Sequence, residues 1–301
     1  MSQILYSYED TEIREASTSL KTLRVVNILS LIASFISSIY AYILDPREID
    51  HKYNNIFSPS IVLILILWPL MYFLRFGFVF YTQFSNVAIV QEVVNESVGW
   101  LFTLANLFML GWLWFWLQLN FVGSSFFATL TLMVVSLAHY RLTVYYPPNE
   151  LPSSQAKKIY IFAHVPFAIY AAFSWLDLFH NIYMALLKSN NDDNYALLGI
   201  LFVWIMGIIG FAWTVTGLFS NRQRDGLFGL AIAACLIDVA VREWDILYLS
   251  IQTSLLAGLI ILSFISIYVK SGYKLKSAFS SQWISNPGSL REQAPLLRNQ
   301  T

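Results

Sequence analysis

Asp177, His180 and Asn181 fall inside one long apolar run at offsets of three and four, a spacing that puts all three on one face of a helix. Tyr170, Ser174 and Pro166 precede Asp177 by seven, three and eleven residues and share that face. A carboxylate beside an imidazole orients the ring and stabilises its protonated form. The chemistry on offer is a polar contact to a ligand, or proton handling. The plainer alternative is a network between helices, at about 0.6 kcal/mol per bond. A second charge, Arg75, lies in another apolar run. A guanidinium at the centre of a membrane span costs roughly 2.5–3.5 kcal/mol even on the lenient insertion scale, so it must face a partner or a polar cavity. Asp177 and Asp238, each within an apolar run, are the acids expected to pair with it.

The elements that position these residues are membrane helices. The chain has 301 residues, of which 57% are hydrophobic and 12% charged, against about 25% charged in an average soluble protein. A bilayer core of roughly 30 Å takes about 20 apolar residues to cross. Eight runs qualify, at 23–44, 60–81, 98–117, 124–144, 159–187, 195–219, 227–241 and 246–269, the seventh being the shortest. The fold expected is an all-α polytopic bundle of about eight transmembrane helices. Basic residues divide unevenly between its two sides. Arg14, Lys21, Arg24, Arg141, Lys157, Lys158, Arg222 and Arg224 share a side with the tail residues Lys270, Lys274, Lys276, Arg291 and Arg298; the other side has Arg47, Lys52, Lys188 and Arg242. By the positive-inside rule both termini are then cytoplasmic.

Four segments follow: a cytoplasmic start at 1–22, a five-helix region at 23–190, three further helices at 191–270, and a Ser/Asn/Gln/Pro-rich tail at 271–301 expected to be disordered. The start carries Glu9, Asp10, Glu12 and Glu15, an acidity not expected of a signal peptide or a mitochondrial presequence. In the tail, Glu292 stands four residues before the pair Leu296-Leu297, the spacing of an acidic dileucine signal. That implies a sorting adaptor as partner and an endolysosomal or vacuolar membrane as destination. A formal net charge of +0 suggests no nucleic-acid partner. Cys235 reads as a small buried hydrophobe, and Asn95-Glu96-Ser97, expected in a cytosolic loop, as an unused glycosylation sequon. His139 and Arg141 end the fourth run, where snorkelling to headgroups is cheap, and His164 reads in the same way. Arg222, Arg224 and Asp225 form a turn that signals topology, and Arg242, Glu243 and Asp245 can neutralise one another. No metal-binding His pair, phosphate-cradling glycine loop or nucleophile elbow is found, so an enzyme is the weaker expectation and no cofactor is implied.

Two stretches resemble the TspO/translocator-protein (tryptophan-rich sensory protein) family. The first is Phe57 and Pro59 followed by Trp68 and Tyr72; the second is His164-Val165-Pro166-Phe167-Ala168-Ile169-Tyr170, continuing to Trp175 and Asn181. Trp112, Trp114 and Trp116 with Gln118 and Asn120 faintly echo the family's third span, but an aromatic belt at the membrane interface is the expectation for the three tryptophans. The sequence departs from the short family members in having Ile61-Val62 where they have Gly-Trp, and in the longer interval from Pro166 to Asn181. The resemblance covers roughly residues 20–190 and looks like the longer TspO-related proteins. It implies a pocket among the first, second and fifth spans that binds a flat apolar molecule such as a porphyrin or sterol, with membrane lipids around it. Pro59 suits the first turn of the second helix, and Pro69 should kink that helix and open a place for neighbouring side chains or a ligand. Trp68, Tyr72, Arg75, Tyr170, Asp177, His180 and Asn181 are the expected ligand-binding residues, the rings offering stacking surface with a polar rim. The rival reading is a secondary transporter using Asp177, His180 and Arg75 as a charge relay, for which the inverted repeat of many transporters is not detectable.

Overall fold

The computed structural model describes residues 2–43, 57–85, 87–147, 153–189, 196–217 and 224–285. The sorting residues Glu292, Leu296 and Leu297 lie outside them. Among the described residues every regular element is helical. In chain order they are α1 (Ser2–Ile43), α2 (Ile61–Phe84), α3 (Ala88–Glu92), α4 (Leu101–Leu117), α5 (Phe121–Tyr145), α6 (Ser153–Ile159), α7 (Val165–Ser189), α8 (Ala196–Val215), α9 (Gly226–Arg242) and α10 (Leu247–Ser285).

Among the described residues six stretches are long and apolar enough to cross a membrane: Leu20–Ala41, Leu65–Phe84, Phe121–Tyr145, Gln155–Leu186, Leu197–Val215 and Leu247–Ile267. A seventh candidate is a bent pair, Ala88–Val98 with Leu101–Leu117, turned by 47°. The bend sits at Gly99, whose φ of +46° favours glycine. The π-turn Val93–Val98 before it buries Val93, Val94, Ser97 and Val98. The remaining expected run, the seventh in chain order, lies in α9, whose 17 residues reach about 25 Å at 1.5 Å per residue.

Local sequence explains the other irregularities. Pro166 brings no N–H, and its ring would crowd the carbonyl four residues back. The helix answers with a π-turn over Tyr160–His164, after which α7 resumes. Ser60, not Pro59, makes the N-cap of α2, its side chain accepting from the Leu63 N–H at 3.1 Å. Pro69 sits on the exposed side of an otherwise continuous α2. The gap it was expected to open toward a ligand is therefore not on the bundle's inner face. At the other end of the chain, α10 stays helical through 271–285, a stretch assigned by sequence to the tail; no proline intervenes before Pro287.

The hub is the α6–α7 span. Its most apolar stretch is 67% buried, against 22–39% for the other spans. It packs on α2, α5 and α9, while α8, α9 and α10 form a mutually packed triangle. Gly229 on α9 lies so close to Thr214 on α8 that a Cβ would collide with its hydroxyl. The apolar core is continuous, running from Leu31 and Phe57 through Tyr170 and Leu176 to Phe228, Leu236 and Ile260. Cys235 is a free, fully buried member of it.

Candidate functional site

Arg75 is 1% exposed at the meeting of α2, α4 and α7. Its expected acidic partner is absent. Nη2 donates to Oδ1 of Asn106 and Nη1 to the Met109 sulfur at 3.6 Å. The guanidinium carbon stands 4.8 Å from the Tyr72 ring centre, 4.7 Å from Tyr170 and 5.9 Å from Phe102. Among the described residues no carboxylate contacts it. Asp238 is spent elsewhere, accepting from the backbone N–H of Ser60 at 2.9 Å and from its hydroxyl. The cation is held instead by an amide, a polarisable thioether and ring faces, which stabilise a desolvated guanidinium without a second charge.

That cage continues into α1, a helix to which sequence reasoning assigned no site residue. Asn27, Ser30, Ser34 and Ser38 are all buried, and their spacings of three and four make one polar stripe. Asn27 accepts from Thr103 at 2.6 Å, and Ser30 from Asn106 at 3.2 Å. Ser34 and Ser38 bond the Tyr72 hydroxyl at 3.0 and 2.5 Å. Met109 is the other residue that was missed. Its sulfur lies within 3.6–3.7 Å of donors on Ser34, Tyr72, Arg75 and Tyr170.

Met109 and Tyr170 also wall a crevice among α4, α5 and α7, together with Trp112, Ala128, Thr131, Ser174 and Asp177. The crevice encloses about 10 Å³, the room of one water molecule. Among the described residues the Asp177 carboxylate makes no hydrogen bond or ion pair; only its backbone carbonyl is engaged, by Asn181 Nδ2 at 2.5 Å. The indole nitrogens of Trp112 and Trp175 are buried without a hydrogen-bond partner.

The expected site residues thus divide. Tyr170 and Asp177 line the crevice. Trp68 and Tyr72 stand behind it in an aromatic ribbon, with ring centres 6.0 Å apart, and Trp68 lies 6.5 Å from Trp112. The ribbon goes on from Trp112 to Trp116 at 5.9 Å and from Trp116 to His180 at 5.2 Å. Trp112 and Trp116 therefore belong to the bundle, and only Trp114, 63% exposed, faces outward as a belt residue would. Asn181 turns to α5, accepting from Ser124 at 2.5 Å. Among the described residues no group of three or more His, Cys, Asp or Glu is placed to hold a metal.

A second polar centre corrects the snorkelling expected of His139 and His164. His139 is fully buried, and its Nε2 lies 2.6 Å from Asp225 Oδ2. The other Asp225 oxygen caps α9, accepting from the N–H groups of Leu227 and Phe228 at 2.9 and 3.1 Å. Burial alone would raise the Asp225 carboxyl, but the hydrogen bond and charge of His139 hold it below the usual carboxylate range. His164 bonds the Tyr146 carbonyl at 3.0 Å. The Tyr146 hydroxyl donates to Glu92 at 2.9 Å, and burial first, then that carboxylate, push the phenol above its ordinary value. Position at the end of an apolar run points to snorkelling, and only the packing of α9 brings Asp225 to His139. Arg242 pairs with Glu243 at 3.9 Å, as expected, and also donates to the Ser58 carbonyl.

A polytopic helical membrane protein with an aromatic, polar-cored bundle is the class this architecture defines. A family model described as TSPO-like protein matches residues 24–268, and the chain belongs to that family. The match extends past residue 190 through α8, α9 and most of α10. No curated protein and no solved structure matches the chain.

Proposed function

We propose that this membrane protein binds a flat apolar ligand of porphyrin, sterol or lipid type at the crevice among α4, α5 and α7. The observation that carries the reading is Asp177, a carboxylate with no partner among the described residues, set in a wall made by Trp112 and Tyr170. An intramembrane acid is costly and marks functional sites by default. Rings with one polar edge stack on a planar guest and bond its rim. Because the crevice holds about 10 Å³, a ligand of that kind enters only as α5 and α7 part. The charge relay gains no support, since the Arg75 donors go to Asn106 and Met109 rather than toward Asp177.

The test is protoporphyrin or sterol binding to purified protein, followed by tryptophan quenching. Tyr170→Ala and Asp177→Asn should weaken binding while helical content is kept, and for Asp177→Asn the thermal midpoint should stay unchanged as well. Parallel loss of stability and binding in Asp177→Asn would reduce the cluster to packing.

A further inference from the structure

We propose that the guest of the Asp177 crevice carries a protonated amine, held between the Asp177 carboxylate and the rings of Trp112 and Tyr170. The inference rests on the ligand-binding reading above and specifies the chemical class that the site selects. Four observations lead to it.

The polar groups of the wall are acceptors. Ser174 spends its hydroxyl hydrogen on the Tyr170 carbonyl at 2.8 Å, and Thr131 on the Phe127 carbonyl at 2.9 Å. Their lone pairs remain, as do those of the Asp177 carboxylate. The Tyr170 hydroxyl donates to Met109. A guest rich in N–H donors satisfies such a wall; a guest with acceptors alone finds only the Trp112 indole N–H to meet it.

The ionisable group a guest meets is an acid. Asp177 lines the crevice and Arg75 does not. Arg75 is occupied by Asn106, Met109 and the rings of Tyr72 and Tyr170. A carboxylate in apolar surroundings either protonates or takes a cation.

The wall is wrong for a metal cation. Hard ions require a nearly complete oxygen shell, whereas one carboxylate and two hydroxyls here share the lining with a thioether, an alanine methyl and two aromatic side chains. An ammonium is satisfied by few acceptors and by ring faces.

A primary ammonium brings three N–H donors to these acceptors, whereas a trimethylated head brings none, and the apolar body can extend along the Trp112 and Trp116 rings.

The experiment uses the full chain in zwitterionic nanodiscs and compares naphthylethylamine, its trimethylammonium analogue and the neutral naphthylethanol by equilibrium dialysis. The amine should bind about tenfold tighter than the alcohol, with the trimethylated form no better than the alcohol. Asp177→Asn should remove the preference for the amine over the alcohol. Should that variant fail to fold, Ala128→Leu, which fills the crevice, should abolish amine binding; unaltered amine affinity there would overturn the proposal. Equal binding of amine and alcohol to the wild type overturns the amine and leaves the flat-ligand reading standing. Binding of neither overturns the amine and leaves the flat-ligand reading to the protoporphyrin and sterol titration. Competition of Na⁺ with the amine, at ionic strength held constant with choline chloride, would make this a sodium site and likewise overturn the proposal.

Discussion

The Met109 sulfur stands 3.6 Å from Nη1 of Arg75, where a carboxylate would be expected to balance a charge at membrane depth. A thioether is a weak acceptor, so the Asn106 oxygen on Nη2 carries the directional part of the interaction. The rings of Tyr72 and Tyr170 supply the rest by their quadrupoles. Neutral partners hold the cation without enlisting Asp177, which leaves that carboxylate to the crevice.

Asn106 should therefore matter more to stability than Arg75 itself. Asn106→Leu leaves a desolvated guanidinium with no oxygen acceptor and should cost about 3 kcal/mol, the upper range for hydrogen bonds to charged groups. Arg75→Leu removes the charge along with the need for it and should cost less, while the double variant should recover part of the Asn106→Leu loss. Unfolding of the purified protein in mixed detergent–SDS micelles measures all three. An Arg75→Leu loss larger than that of Asn106→Leu would contradict this account.

Legibility in the sequence followed physical strength. Each apolar run is helical because some twenty apolar residues leave the backbone no alternative in lipid. Arg75 was conspicuous for its desolvation cost, and its burial follows. Its partner is not legible, because charge balance points to an acid and neither an asparagine nor a methionine registers on that scale. A signal did exist in α1, where Asn27, Ser30, Ser34 and Ser38 repeat at helical spacing; each residue is unremarkable singly. His139 was misread for a different reason. Its fate depends on Asp225, 86 residues away, and no local pattern announces that α9 will place its cap beside α5.

Asp225 has two roles that substitution can separate. Asparagine caps a helix as well as aspartate does, so Asp225→Asn keeps the start of α9 but loses the charge facing His139, at about 1.5–3 kcal/mol. Asp225→Ala loses the cap as well, at about 1 kcal/mol more. The pH dependence follows from the depressed carboxyl. A group whose folded pKa lies below its unfolded value of about 3.9 contributes fully above that value, and the contribution is lost as pH falls through the folded pKa. Thermal midpoints taken from neutral pH down to about pH 3 should fall more steeply for the wild type than for Asp225→Asn. Identical slopes, or equal losses in Asn and Ala, would refute the paired cap.

The orientation of the bundle and the role of its tail can be tested together. If α9 crosses the membrane, the crossings number eight and both termini share the cytoplasmic side, as the excess of Lys and Arg there requires. Cys235 is fully buried, so it gives a silent background for single-cysteine labelling with an impermeant maleimide. Cysteines at Lys157 and in the tail should react only from the cytosolic face, and one at Lys52 only from the other. Were α9 to lie on the surface instead, the tail would react from the face opposite Lys157. A cytosolic tail is also what an adaptor needs in order to read Glu292 with Leu296 and Leu297. Replacing both leucines by alanine should then move the protein from an endolysosomal or vacuolar membrane to the cell surface, seen by surface biotinylation. An unchanged location, with the tail proved cytosolic, would dismiss the sorting signal without touching the topology.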